Sequence, residues 1–170
     1  MPIDGCTHRF ADLTGRVLPN HMRKLRAAMA KPTPMATFHG LKQGVKACCR
    51  RIGKEADFSG CYVLLDHGKP IYVGISRGVV GRLIQHVRGR THFDASLAYR
   101  IAVREWPRKM PRGEAMRDPD FRAKFDLAQT RIRGFDVAFV EIECSVELYA
   151  FELYCAMELD TTDWNTFRTH

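Results

Sequence analysis

The stretch GCYVLLDHGKPIYVGIS, residues 60–76, decides the fold, because it has the pattern of two β-strands joined by a short turn. Both halves are rich in the β-branched and aromatic residues that strands favour. A three-residue loop at 66–68 would place Tyr62 directly opposite Tyr72 on one face, with Cβ atoms about 5 Å apart. A two-residue loop would instead put the two tyrosines on opposite faces. We expect the first register.

Helical patterns on both sides of this hairpin predict a small mixed domain of class α/β (α+β). Its sheet would be short, largely antiparallel and three-stranded, with flanking helices. We expect an N-terminal basic helical extension over 1–57 and a second domain over 58–170, with a helical insertion near 105–133. The predicted helices are 20–31, 36–53, 79–88, 95–105, 119–133 and 146–159, and the third strand lies in 135–144.

Positive charge is concentrated before the hairpin. The chain has 27 Lys and Arg against 19 Asp and Glu, a net charge of +8, and no acidic residue lies between Thr14 and Lys54. A segment of one sign is typical of a phosphate-binding surface, although a solvated basic face without a partner has the same composition. The residues predicted to bind DNA are Arg23, Lys24, Arg26, Lys42, Lys46, Arg50 and Arg51.

The remaining composition indicates a cytoplasmic protein without a membrane partner. No apolar run approaches the roughly 18 residues that cross a bilayer. The first residues lack a charged leader followed by an apolar stretch. The six cysteines form no CxxC pair and no Cys/His set with zinc spacing, which predicts reduced thiols, several of them in the core.

Five sequence elements in order resemble the GIY-YIG nuclease family. The first motif stands as GCY at 60–62 and the second as YVG at 72–74, followed by RLIQH at 82–86. Glu152 lies on a late helix, and Asn165 follows it in ELYCAMELDTTDWN. One such motif alone is common, whereas five at compatible spacings are specific. The resemblance covers residues 58–167, with an insertion at 105–133.

The resemblance implies a divalent-metal-dependent endonuclease that hydrolyses DNA phosphodiester bonds. In that family the first-motif tyrosine is thought to activate the attacking water with the second tyrosine nearby, and these roles carry over to Tyr62 and Tyr72. Arg82 would stabilise the transition-state phosphate, and His86 would assist proton transfer or hold Tyr62 or the phosphate. Glu152 would bind Mg²⁺ or Mn²⁺.

The residue types suit this chemistry independently of the resemblance. Glu152 is surrounded by apolar helix neighbours, where burial of an unpaired carboxylate is costly and a cation would offset the cost. An oxygen-rich site favours Mg²⁺ or Mn²⁺ over zinc. Arg82 offers a planar fork of donors to a phosphate and shares a helix face with His86. The ordinary alternatives are a partly exposed or arginine-paired glutamate, a surface arginine, a helix histidine without a catalytic or binding role, and core tyrosines.

Three further positions are predicted to support the site or its packing. Gly74 would permit close backbone approach or a bulge. Asn165 would support the site and not touch the substrate. Cys61, where the family often has isoleucine, falls on the strand face opposite Tyr62 and would affect packing only.

Two other functions fit the same sequence. A nucleic-acid-binding module would keep the fold without significant activity, so it would bind without metal-dependent turnover. A partner-binding protein would use its basic helices to hold an acidic protein. A dimer is possible if one single-site domain cuts both strands, although sequential nicks would serve as well.

Overall fold

The computed structural model describes residues 3–40, 44–106 and 108–167. Its strands are β1 (Thr33–Pro34), β2 (Gly60–Asp66), β3 (Lys69–Ser76) and β4 (Asp136–Glu141). Its α-helices are α1 (Phe10–Asp12), α2 (Leu18–Met29), α3 (Val45–Arg51), α4 (Val79–Arg88), α5 (Ser96–Glu105), α6 (Arg112–Ala115), α7 (Pro119–Arg133) and α8 (Ser145–Glu158). The predicted mixed α/β class is confirmed. None of the helices in these ranges is long and apolar enough to cross a membrane.

Two compact units divide the chain. The sheet unit comprises the described parts of 1–33, 57–79 and 136–170, with strands β2 to β4 and helices α1, α2 and α8. The helical unit comprises the described parts of 34–56 and 80–135. The N-terminal segment predicted as one extension is therefore shared between the two units.

The sheet has four strands in the order β1-β4-β2-β3, whereas the sequence predicted three. β2 pairs antiparallel with both β3 and β4. The additional strand, β1, has only two residues, one of them Pro34. It was missed because two residues are too few to leave an alternating pattern, and proline is tolerated in strands mainly at sheet edges.

The turn of the β2–β3 hairpin differs from the predicted one. Asp66 pairs with Lys69, so the loop contains two residues and not three. Those residues, His67 and Gly68, have φ angles of 50° and 79°. Positive φ at both positions gives the two-residue turn whose twist matches that of the flanking strands. The predicted three-residue loop is wrong for this reason.

A bulge in the hairpin restores the predicted side of the tyrosines. Leu65 lies opposite Pro70, whereas Leu64 lies opposite Tyr72, so β3 has one extra residue between these pairs. Proline has no N–H to donate to the ladder, and bulges on edge strands are among the places where it is tolerated. A two-residue loop alone would have turned the motif tyrosines to opposite faces. The extra residue returns them to the same face.

One face of the sheet packs against α2 and α8 to form the core of the sheet unit. Alternate residues of β2 point to this face, as strand geometry requires. Helix α8 contributes residues spaced three and four apart, which places one side of that helix on β2 and β3. The residues of this α2–α8 core include Leu18, Met22, Leu25, Cys61, Val63, Leu65, Ala138, Val140, Leu148, Phe151 and Cys155.

In the helical unit, α5 packs against α7 through aromatic side chains. The Phe121 ring lies 5.2 Å from both the Tyr99 and Trp106 rings, measured between centroids. The helix predicted over 36–53 is shorter among the described residues: Met35–Phe38 is a 3₁₀ turn and α3 is the only α-helix there, while residues 41–43 lie outside the described ranges.

Candidate functional site

The two motif tyrosines lie together on the sheet face opposite the α2–α8 core. Their ring centroids are 6.2 Å apart and the ring planes are inclined at 54°. Tyr62 pairs with Gly74 and Tyr72 pairs with Leu64, so the predicted direct pairing is wrong and the tyrosines are diagonal neighbours. Tyr62 is only 1% exposed, whereas Tyr72 is half-buried. Tyr72 is therefore the more accessible of the two.

The glycines of both motifs are required by close packing. A Cβ at Gly74 would overlap the Cζ and hydroxyl atoms of Tyr62 and lie 3.0 Å from its Cε1. The close approach predicted at Gly74 is therefore made by a side-chain ring, and the bulge lies elsewhere in the hairpin. A Cβ at Gly60 would overlap the carbonyl oxygen of Val140 on the neighbouring strand.

Asn165 fixes β3 between the second-motif tyrosine and glycine. Its Nδ2 donates to the carbonyl oxygen of Val73 at 2.7 Å, and the N–H of Val73 donates to its Oδ1 at 2.9 Å. The backbone N–H of Asn165 donates to the carbonyl oxygen of Thr161, which shapes the turn after α8. These two bonds fit the predicted supporting role, because both Nδ2 and Oδ1 of Asn165 are bonded to the backbone of β3.

Glu152 projects from α8 with a half-buried side chain. Burial raises the pKa of its carboxyl group, because a desolvated carboxylate is less stable when charged. Burial also raises the pKa of the Cys61 thiol well above its usual range, with further contributions from Cys155 and the charge of Glu152. Glu152 therefore lies near Cys61, which points to the α2–α8 face of the sheet, whereas Tyr62 points to the opposite face. A carboxylate oxygen in this setting fits a hard divalent cation such as Mg²⁺ or Mn²⁺.

Arg82 lies in the helical unit, on α4, and its guanidinium is held by three hydrogen bonds. Nη1 donates to the carbonyl oxygen of Asp94 at 2.8 Å and to Oε1 of Gln85 at 3.0 Å. Nη2 donates to Oγ of Ser96 at 2.8 Å. These bonds fix the plane of the donor fork, which reduces the entropy lost when an anion binds.

His86, one turn after Arg82 on α4, is fully buried. Burial, together with the charges of Arg82 and Arg100, lowers its pKa from 6.5 to about 3. The face that it shares with Arg82 is therefore not a solvent-exposed face. A neutral, buried imidazole is suited to hold a hydrogen bond, and less suited to exchange protons with solvent.

The predicted DNA-binding residues are distributed over the two units. Arg26 forms an ion pair with Glu158 at 3.2 Å, and Lys42 lies outside the described ranges. Those with exposed side chains are Arg23, Lys24 and Arg26 on α2, and Lys46, Arg50 and Arg51 on α3.

A second polar cluster, which the sequence did not predict, lies in the sheet unit around Glu147. His8 Nδ1 is 2.9 Å from Glu147 Oε1, and His21 Nε2 is 2.9 Å from Glu147 Oε2. Burial alone would raise the pKa of Glu147, but the hydrogen bonds and charges of the two histidines outweigh it and lower the pKa. The donor atoms of Cys6, His8 and Glu147 all lie within 4.8 Å of one another.

No protein-family model matches the chain, and neither a curated protein nor a solved structure matches it. The resemblance to GIY-YIG nucleases therefore stays a prediction from the motifs. The structure adds that Tyr62, Tyr72, Asn165 and Glu152 belong to one unit, with the two tyrosines on one sheet face and Glu152 on the helix that packs against the other.

Proposed function

We propose that this protein is a cytoplasmic endonuclease of the GIY-YIG type that hydrolyses DNA phosphodiester bonds with a divalent metal. The observation that carries this proposal is the meeting of Tyr62 and Tyr72, whose rings lie 6.2 Å apart on one sheet face. Core aromatics on strands are common, but these two belong to the two motifs that the resemblance had already selected.

Phosphodiester hydrolysis needs a base for the attacking water, positive charge at the phosphoryl oxygens and a proton for the leaving oxygen. As a phenolate, Tyr62 would accept a proton from the attacking water while the oxygen of that water bonds to phosphorus and the ester P–O bond breaks, and a second water would supply the proton to the leaving oxygen. Tyr72 orients the same water, since it is the more accessible ring of the pair. The role proposed for the Arg82 guanidinium is to donate to a non-bridging oxygen. Asn165 holds β3 at Val73, the residue between Tyr72 and Gly74.

Glu152 is the residue that would hold Mg²⁺ or Mn²⁺. A bound ion supplies positive charge to the phosphoryl oxygens and lowers the pKa of bound water. The raised pKa of the Glu152 carboxyl group supports this assignment, because burial makes its negative charge costly and a cation would remove that cost. Exposed basic residues on α2 and α3 would neutralise backbone phosphates.

One observation favours a second candidate, a DNA-binding module without significant cleavage. Tyr62 is 1% exposed and His86 is fully buried, and groups so enclosed contact a substrate only after local movement. The two functions differ in one measurement, since the second gives DNA binding without metal-dependent turnover.

The test is cleavage of supercoiled plasmid, single-stranded, flapped and branched DNA with Mg²⁺ or Mn²⁺. We expect Glu152→Gln, Tyr62→Phe and Arg82→Ala each to lose at least about 10²-fold in rate. Glu158→Gln, the same change on an exposed residue of the same helix, should retain the rate. Cleavage that survives both Glu152→Gln and Arg82→Ala would refute the site. DNA binding without cleavage of any substrate would establish the second candidate.

A further inference from the structure

The cluster around Glu147 brings together four side chains that are common metal ligands. Cys6 and His8 belong to the first described residues of the chain, and Cys144 and Glu147 lie at the beginning of α8. The donor atoms of Cys6, His8 and Glu147 lie within 4.8 Å of one another. Cys144 lies outside that group of three, but it is close enough to raise the pKa of the Cys6 thiol, which places a second sulfur beside the group.

These distances are close to those within a tetrahedral zinc site. With Zn–N and Zn–O near 2.1 Å and Zn–S near 2.3 Å, neighbouring ligand atoms lie about 3.3–3.8 Å apart. His8 Nδ1 and Glu147 Oε1, 2.9 Å apart, must separate by about 0.5 Å, and any pair near the 4.8 Å upper bound must approach by about 1 Å. Rotation of exposed or half-buried side chains such as His8, 30% exposed, is sufficient for a change of this size.

His21 occupies the place of an outer partner that orients a metal ligand. Its Nε2 lies 2.9 Å from Glu147 Oε2, the carboxylate oxygen not engaged by His8. The His21 ring is itself held on α2 by edge contact with Phe151, at 5.6 Å between centroids. Ligating carboxylates are usually hydrogen-bonded in this way, and the bond fixes which oxygen is presented to the ion.

The cluster also has a path for an ion to enter. A cavity of about 530 Å³ adjoins it, and Cys6 and His8 are among the residues that line this cavity. A metal site needs an entry path as well as ligands and an oriented outer shell, and all three are present in this unit.

We propose that Cys6, Cys144, His8 and Glu147 bind one Zn²⁺ ion. Two sulfur ligands select zinc over Mg²⁺ or Mn²⁺, so this site is chemically distinct from the one proposed at Glu152 and independent of nuclease activity. The ion links the N-terminal segment to the first turn of α8. It is a structural site, because four protein ligands complete the tetrahedral coordination.

The experiment is a measurement of zinc content in the full chain, purified and then dialysed with excess Mg²⁺ and without DNA. We expect about one zinc per chain in the original protein. The same preparation loaded with Co²⁺ should give the absorption bands of tetrahedral cobalt and of a thiolate–cobalt bond. Removal of zinc by a strong chelator should lower the melting temperature and expose the N-terminal segment to proteases.

Zinc binding by single and double variants distinguishes the proposed ligands from nearby residues that do not bind the ion. The double change Cys6→Ser with Cys144→Ser, and separately Glu147→Gln, should abolish zinc binding. His21→Asn should weaken zinc affinity by about 10–100-fold, the usual effect of losing an outer partner. Cys48→Ala, at a buried cysteine of the helical unit, and Glu152→Ala, on the same helix as Glu147, should each retain the ion.

An original protein that takes up no zinc in direct titration would overturn the proposal, whatever the variants do. Retention of zinc by the double cysteine variant would also overturn it, since it would show that the ion binds elsewhere. Loss of Mg²⁺-dependent cleavage in Glu152→Ala with zinc content unchanged would support two separate metal sites. A failed nuclease assay with zinc bound would leave this site standing.

Discussion

Replacement of Gly74 by alanine tests whether the second motif needs glycine to seat the first-motif tyrosine. The added Cβ would fall on the Cζ and hydroxyl atoms of Tyr62. It would lie about 1 Å inside the ordinary carbon contact distance of roughly 3.5 Å. Since Tyr62 is 1% exposed, its ring has little space into which to move. Either the ring or the hairpin must therefore shift by about 1 Å.

A shift of this size has two expected consequences. Overpacking of a filled site costs about 1–3 kcal/mol of the free energy of unfolding. For a chain of this length that is a fall of about 2–12 °C in melting temperature. A displacement of about 1 Å in a reacting group reduces the cleavage rate by about 10²-fold. The measurements are thermal unfolding, followed by circular dichroism, and Mg²⁺-dependent plasmid nicking.

The matched control is Gly15→Ala, because a Cβ at that glycine meets no atom within 4 Å. The control should be neutral or stabilised by about 0.4–1 kcal/mol, through the lower entropy of the unfolded chain. In a Tyr62→Leu background, Gly74→Ala should cost less, since the ring it collides with is gone. If Gly74→Ala melts and cleaves like Gly15→Ala, the contact between this glycine and the tyrosine ring has no importance for stability or catalysis.

Three further outcomes are expected. Because burial raises the pKa of Glu152, its ionisation weakens folding as pH rises above 4.5, so Glu152→Gln at neutral pH should unfold at the same or higher urea concentration while losing cleavage. The pKa of His86 is lowered to about 3, so below pH 6.5 the unfolded chain binds a proton that the folded chain does not. As pH is lowered from 6.5 towards 3, the free energy of unfolding should fall by up to about 1.4 kcal/mol per pH unit. His86→Gln should remove that part of the slope in urea titrations. Replacing Arg50 and Arg51 by Gln should reduce the salt dependence of DNA affinity by about 1.8 in log–log slope; an unchanged slope would place the DNA elsewhere.

The hairpin and the long helices could be predicted because their signals are local. Two β-rich runs around a turn are sufficient for β2 and β3, and apolar spacing is sufficient for helices such as α7 and α8. The bulge opposite Leu64 could not be predicted, because its effect is visible only as one extra residue against a partner strand. The predicted face of the tyrosines is correct because the wrong loop length and the missed bulge each change the side once.

The site residues differ in how well the sequence described their surroundings. The apolar neighbours of Glu152 favoured burial, and the side chain is half-buried. His86 was predicted to share a helix face with Arg82, and its full burial depends on packing that helical spacing does not encode. The cluster of Cys6, His8, Cys144 and Glu147 was missed because its halves are far apart in sequence and neither half alone has zinc spacing.

The side-chain amide of Asn165 also affects how exposed the edge of the sheet is to aggregation. β3 is the last strand in the sheet order, and such an edge presents unpaired backbone groups to which another chain can add a strand. Asn165 occupies the N–H and the carbonyl oxygen of Val73, so these two groups of the β3 edge cannot pair with an incoming strand. The side chain that holds β3 beside Tyr72 therefore also protects part of this edge from edge-to-edge aggregation.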